Sequence, residues 1–148
     1  MNPLEDHRYL EIFGQMLEEV EAIIEISQRP EDDVDPMDAI MVAALMHDVT
    51  IRDAVLCYAA IAVGDGEDKL LSLMERIVYA AIEGAAPMAT TAAILHWMKN
   101  DRERSEICLG IALLSDEDYR LARMFQMMMS VDTPGDQVRK MMSEDILS

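Results

Sequence analysis

Apolar side chains recur every three or four positions along most of the chain, and no stretch shows the sustained one-in-two alternation of a half-buried strand. The pattern predicts an all-α protein: a compact multi-helix bundle of about eight helices in a single domain over residues 1–148. The first helix is expected from Pro3 to about Gln28, stopped by Pro30. Leu10, Phe13, Leu17, Val20 and Ile24 form one stripe, and Tyr9, Ile12, Met16 and Ile23 widen it to a face. Glu11, Glu18, Glu21 and Glu25 lie on the opposite side and are the candidate partner-binding residues of this segment. The heptad seam lasts barely over two repeats, fewer than a coiled coil needs, so core packing is the first expectation and a homodimer through this helix the second.

Residues 29–35 read as a charged linker, followed by a helical core over 36–148. Asp35-Pro36 is a helix start, an N-cap acceptor before proline at the first helical position, and opens a short apolar helix to about His47. Thr50 with Asp53 resembles a capping box opening Ile51 to Ala62, and Gly64-Asp65-Gly66 breaks the chain. A fourth helix is expected from about Glu67 to Glu83, with Gly84 as its C-terminal cap. After Pro87 comes a helical pair, about Met88 to Lys99 and Arg102 to Leu114. Ser115, with Asp118 three on, is expected to cap a helix through Tyr119, Leu121, Ala122, Phe125 and Met128, and Thr133-Pro134 to begin the last one.

Residues 86–119 can be laid on a tetratricopeptide-like frame. Ala93, Ser105 and Ala112 fall where that hairpin wants close helix approach, and Leu109 at a large apolar position. Trp97 is out of place and Glu117 stands where proline is usual, so at most one such hairpin is expected and no array.

Composition narrows the function. The chain of 148 residues is 51% hydrophobic but only 5% aromatic, so aliphatic residues and 14 methionines must fill the core, with a Met-lined groove for partner helices as the other use. A net charge of −17 disfavours direct contact with nucleic acid. The charge is polarised: residues 1–50 hold 13 acids against only Arg8 and Arg29. No apolar stretch reaches membrane-spanning length and no signal-peptide pattern is visible, which predicts a cytoplasmic protein.

Catalytic constellations are not found in the sequence. His7, His47 and His96 are isolated, and His96 beside Trp97 reads as a core or boundary residue and not a ligand. No phosphate loop, nucleophile elbow or His-Glu-x-x-His occurs. Cys57 and Cys108 are 51 positions apart on apolar helices, which fits neither a metal spacing nor a disulfide framework. Glu31, Asp32, Asp33 and Asp35 lack the alternation and central glycine of a calcium loop. No metal, cofactor or enzyme activity is therefore expected.

Ile51-Arg52-Asp53-Ala54-Val55-Leu56 resembles the Val-Arg-Asp-Ala-Leu-Leu element of an actinobacterial family, domain of unknown function four-one-nine-two. Gly84-Ala85-Ala86-Pro87 through Ile94-Leu95-His96-Trp97 is similar to the family's Ala-Ala-Pro…Leu-Leu-Ala…Trp stretch. The run from Ser105 through Ala112-Leu113-Leu114 and Tyr119-Arg120-Leu121-Ala122-Arg123 looks like its Ala-Leu…Asp-Pro-x-Tyr…Leu-Ala-Arg ending. The resemblance covers residues 50–130 and corresponds to the C-terminal part of a longer family pattern. It departs by Glu117 for proline and by Asn100-Asp101 for a glycine-rich turn. It implies an actinobacterial or actinophage source and helix-packing residues without catalytic roles. Within it, Asp53 is expected to serve a helix N-terminus and Arg52 to reach a neighbouring carboxylate or a partner. These features together predict a non-catalytic helical interaction or regulatory protein with a protein partner; the alternative is an acidic nucleic-acid mimic that inhibits a DNA-binding protein.

Overall fold

The computed structural model describes residues 17–80 and 84–145. Among these it holds eight α-helices and no strand: α1 Leu17–Gln28, α2 Pro36–Leu45, α3 Val49–Ile61, α4 Asp65–Ala80, α5 Ala86–Met98, α6 Arg102–Ser115, α7 Arg120–Ser130 and α8 Gly135–Asp145. The number and order of helices follow the periodicity. The part of the first helix expected over residues 3–16, with Glu11, lies outside the described residues.

The hub is α5. All thirteen of its residues are buried, which a helix attains only when neighbours cover every side. It packs against α6, α4, α3, α8 and α7. Small side chains make this possible: Ala89, Thr90, Ala92 and Ala93 have no exposure, so neighbouring backbones come close. The α5–α6 hairpin shows the close approach its sequence suggested. Ala93, Ser105 and Ala112 are fully buried, and Ser105 Oγ donates to the Ala93 carbonyl at 2.6 Å. Its turn explains the missing glycine: Asn100 takes φ 63°, the left-handed conformation that glycine or asparagine supplies after a helix. Asp101 then caps α6 by accepting from the Arg104 backbone N–H at 3.2 Å.

Local capping chemistry also fixes the starts of α2 and α3. Asp35 and Asp38 form a reciprocal capping box at α2, with Pro36 at its first position. Two expected caps are corrected. At α3 the cap is Asp48, whose carboxylate accepts from the N–H groups of Thr50 and Ile51, so the helix begins two residues earlier than the Thr50–Asp53 pair suggested. Ser115 does not cap α7 but is the last residue of α6, and Asp116 instead accepts from the Asp118 N–H at 3.0 Å. The charged segment 29–35 contains a 3₁₀ turn, Glu31–Asp33, and is tied down by Arg29, which grips Glu25 through two N–H groups and reaches Asp38 at 3.0 Å.

The C-terminal helix closes the bundle on α3 and α5. Arg139 of α8 donates to the carbonyls of Ala60 (3.1 Å) and Met98 (3.4 Å), at the ends of α3 and α5 where backbone acceptors lack helical partners. Its Nη1 also stands 2.6 Å from Oε2 of Glu67, a carboxylate only 2% exposed. That approach is not aligned as a hydrogen bond, so the attraction is an ion contact. Nearby, Trp97 donates Nε1–H to the Thr133 carbonyl at 2.7 Å and meets Phe125 edge-on. No helix among the described residues is long and apolar enough to cross a membrane.

Candidate functional site

Of the acidic residues expected to meet a partner, Glu18, Glu21 and Glu25 are exposed on α1, whose Val20, Ile23 and Ile26 are buried in the core. Glu25 is engaged by Arg29 (2.7 Å), which leaves Glu18 and Glu21 facing solvent. Arg52 is a different case. It is 8% exposed and its donors are committed within the chain: Nε and Nη2 to Asp53 Oδ1, Nη1 to the Tyr119 hydroxyl at 2.8 Å. Its guanidinium also lies over the Tyr119 ring, 5.6 Å from the centroid. Burial lowers its pKa, but the hydrogen bonds to Tyr119 and Asp53 outweigh this and the net shift is upward. Arg52 therefore joins α3 to the α6–α7 turn, and the carboxylate it reaches is on its own helix.

Two sites emerge that no single segment announces. The first is an apolar groove of about 440 Å³ between α2 and α4, lined by Val34, Pro36, Ala39, Ile40, Ala43, Leu73 and Ile77. Met37, Ile40 and Met41 stand out beside it, 70%, 61% and 39% exposed. Glu31, Asp32, Asp33 and Asp35 are exposed at its N-terminal edge, and Arg76, a basic side chain in its lining, faces Glu31 at 3.6 Å. Exposed apolar surface rimmed by charge is the usual mark of a docking surface, and methionine lets such a surface adapt to its ligand.

The second is a polar knot under a cleft of about 320 Å³ lined by Asp68, Ser72, Glu75, His96, Lys99, Asp101 and Arg104. Glu75 of α4, His96 of α5 and Cys108 of α6 each bring one ligating atom to within 4.8 Å of the other two. His96 Nε2 is hydrogen-bonded to Glu75 Oε1, and Lys99 pairs with Asp68 at the rim. His96 is 3% exposed and Cys108 5%, whereas Glu75 borders the cleft. Burial first, then the charges of Glu75 and Asp101, push the Cys108 thiol up to about 11. A nucleophilic cysteine needs the opposite setting, one that favours its thiolate. Cys57, by contrast, donates to the Ser143 carbonyl at 3.4 Å.

The expectation that the histidines stand alone holds for His96 along the sequence but not in space, and His7 lies outside the described residues. The signal was present: on the α5–α6 hairpin, His96 and Cys108 each lie three residues beyond the contact pair Ala93–Ser105. Side chains lean toward their helix N-terminus, so in antiparallel helices both lean back to that shared level. Only the arrival of Glu75, 21 positions before His96, needed the tertiary fold.

These features define an all-helical fold built around one buried helix, with an apolar groove and a polar knot that both draw on α4. The chain belongs to the family described as Domain of unknown function (DUF4192), whose model matches residues 5–132, well beyond the 50–130 stretch on which the resemblance rested. No curated protein and no solved structure matches it.

Proposed function

We propose that the protein is a non-catalytic helical interaction module that binds an amphipathic segment of a partner protein in the α2–α4 groove. The observation that carries this reading is the pairing of the apolar groove with its acidic edge. Ile40, exposed above a floor of the buried Leu73 and Ile77, offers an apolar seat for side chains spaced along one face of a helix. The exposed Asp32 and Asp33, between Glu31 (held by Arg76) and Asp35 (capping α2), attract basic residues at its end. The complementary partner is therefore a helix with apolar anchors and flanking Lys or Arg. Its charge contacts lie at the rim, so they speed association more than they add affinity.

A photo-crosslinker placed at Ile40 in host cells and in their extracts tests this. A discrete protein adduct is expected, weakened by salt and suppressed when excess unlabelled chain competes for the partner. The variant Ile40→Asp puts a charge into the groove wall at an exposed position, so it should fold and yet fail to compete. If Ile40→Asp competes as well as the parent chain, the groove is not the docking site.

The acidic-mimic alternative has weaker support. Along α1 the exposed carboxylates of Glu18 and Glu21 are about 4.5 Å apart in rise, but Glu25 is tied to Arg29, which interrupts the ridge. That alternative gains if the crosslinked partner is a DNA-binding protein whose capture is competed by duplex DNA. Self-association through the first helix is a companion proposal, tested by molar mass in solution.

A further inference from the structure

We propose that Glu75, His96 and Cys108 form a binding site for a divalent transition-metal ion of the zinc type, with one coordination position open to the cleft between α4 and α5. Nothing in the interaction reading requires this site, which shares α4 with the groove but uses Glu75 where the groove uses Leu73, Arg76 and Ile77.

The donor set matches the ion. One carboxylate oxygen, one imidazole nitrogen and one sulfur are the ligand types zinc accepts, and three protein ligands with a fourth position open is the arrangement of its reactive sites. With metal–ligand bonds of about 2.0–2.3 Å, a tetrahedral site has edges of about 3.3–3.8 Å. The three ligating atoms lie within 4.8 Å of one another; the sulfur has to close by about 1 Å, and the hydrogen-bonded His96–Glu75 pair has to open to admit the ion. Glu75 can supply that movement because it is the partly exposed member of the set.

Charge points the same way. A thiolate and a carboxylate with a neutral imidazole balance a dication, which removes the cost of burying separate charges. Binding would release the Cys108 proton to solvent, and neutral His96, carrying its proton on Nδ1, would turn its Nε2 lone pair from Glu75 to the ion. Asp101, which caps α6 and lines the cleft, adds negative potential at the sulfur. The cleft provides the entry path; Ser72, Lys99 and Arg104 line it, with Lys99 paired to Asp68 and Arg104 to Asp101.

The test uses the full chain, stripped with a chelator and titrated with Co²⁺, whose thiolate charge-transfer absorption reports a metal–sulfur bond. The expected result is saturation at one equivalent with that band present, and its loss when Zn²⁺ is added. Cys108→Ser should abolish the band, and Cys57→Ser should keep it. Glu75→Gln preserves shape and a hydrogen bond to His96, so a merely structural role would tolerate it; Co²⁺ affinity should nevertheless fall at least tenfold. Circular dichroism of each metal-free variant checks folding, and the partly exposed Glu75→Gln keeps the test decisive should Cys108→Ser not fold. Absence of the band, its survival in Cys108→Ser, or unchanged affinity in Glu75→Gln would overturn the site.

Discussion

Replacing Arg139 by alanine probes how the last helix is locked to the rest. Arg139 serves two helix ends and a buried carboxylate at once: the carbonyls of Ala60 and Met98, and Glu67 at 2.6 Å. Removing it leaves Glu67, 2% exposed, as an unpaired charge in the interior. Orphaning one member of a buried pair costs about 3–5 kcal/mol. The Arg139 side chain is 19% exposed, so water can enter the vacated space and the lower end, about 3 kcal/mol, is expected. Against a total stability of about 5–15 kcal/mol for a domain, this is a large fraction. Urea unfolding followed by far-ultraviolet circular dichroism measures it. The companion change Glu67→Leu removes the charge that Arg139→Ala strands, so the double variant should recover much of the loss. A coupling energy above about 1.5 kcal/mol is expected from the double-mutant cycle, and it should change little with salt because the pair is shielded. A loss under about 1 kcal/mol for Arg139→Ala, or additivity within about 0.5 kcal/mol, would show that Arg139 is an ordinary surface arginine and that α8 is held by apolar contacts alone.

Gly135→Ala should destabilise the same junction by about 1–3 kcal/mol, because a new Cβ would stand 2.7 Å from the Trp97 carbonyl and 2.9 Å from Asn100 Oδ1; thermal melting reads this as a lower Tm. Asn100→Ala should cost about 1 kcal/mol and Asn100→Gly much less, since φ 63° is left-handed backbone; equal effects of the two would remove the conformational explanation. In metal-free protein, folding raises the Cys108 thiol from 9.0 to about 11, so the folded state keeps a proton that the unfolded chain has lost. Its contribution is intact below pH 9 and falls away as pH rises toward 11, and Cys108→Ser should flatten that part of the stability–pH curve.

Helix order was legible because its signals are local. Asp35-Pro36 sets α2 within four residues, and Asn100-Asp101 ends one helix and caps the next within five. Where local signals competed, sequence could not choose: Asp48 and Thr50 are both good caps, and Asp48 prevails with two N–H groups in reach while Asp53 is taken by Arg52. The same logic limits the sites. An acidic row on α1 is visible in the spacing of Glu18, Glu21 and Glu25, but its partial neutralisation by Arg29 is a choice of rotamer. Arg52 looked available to a partner because its ligand Tyr119 lies 67 positions away. The knot of Glu75, His96 and Cys108 stands between these cases. Its hairpin half follows from the Ala93–Ser105 register and the N-terminal lean of helical side chains, whereas its carboxylate depends on which face α4 turns to α5. That face is set by Leu70, Leu73, Met74 and Ile77, all buried, which leave Glu75 beside them at the edge of the cleft. The apolar stripe that folds α4 is thus also what delivers its carboxylate to the histidine and the thiol.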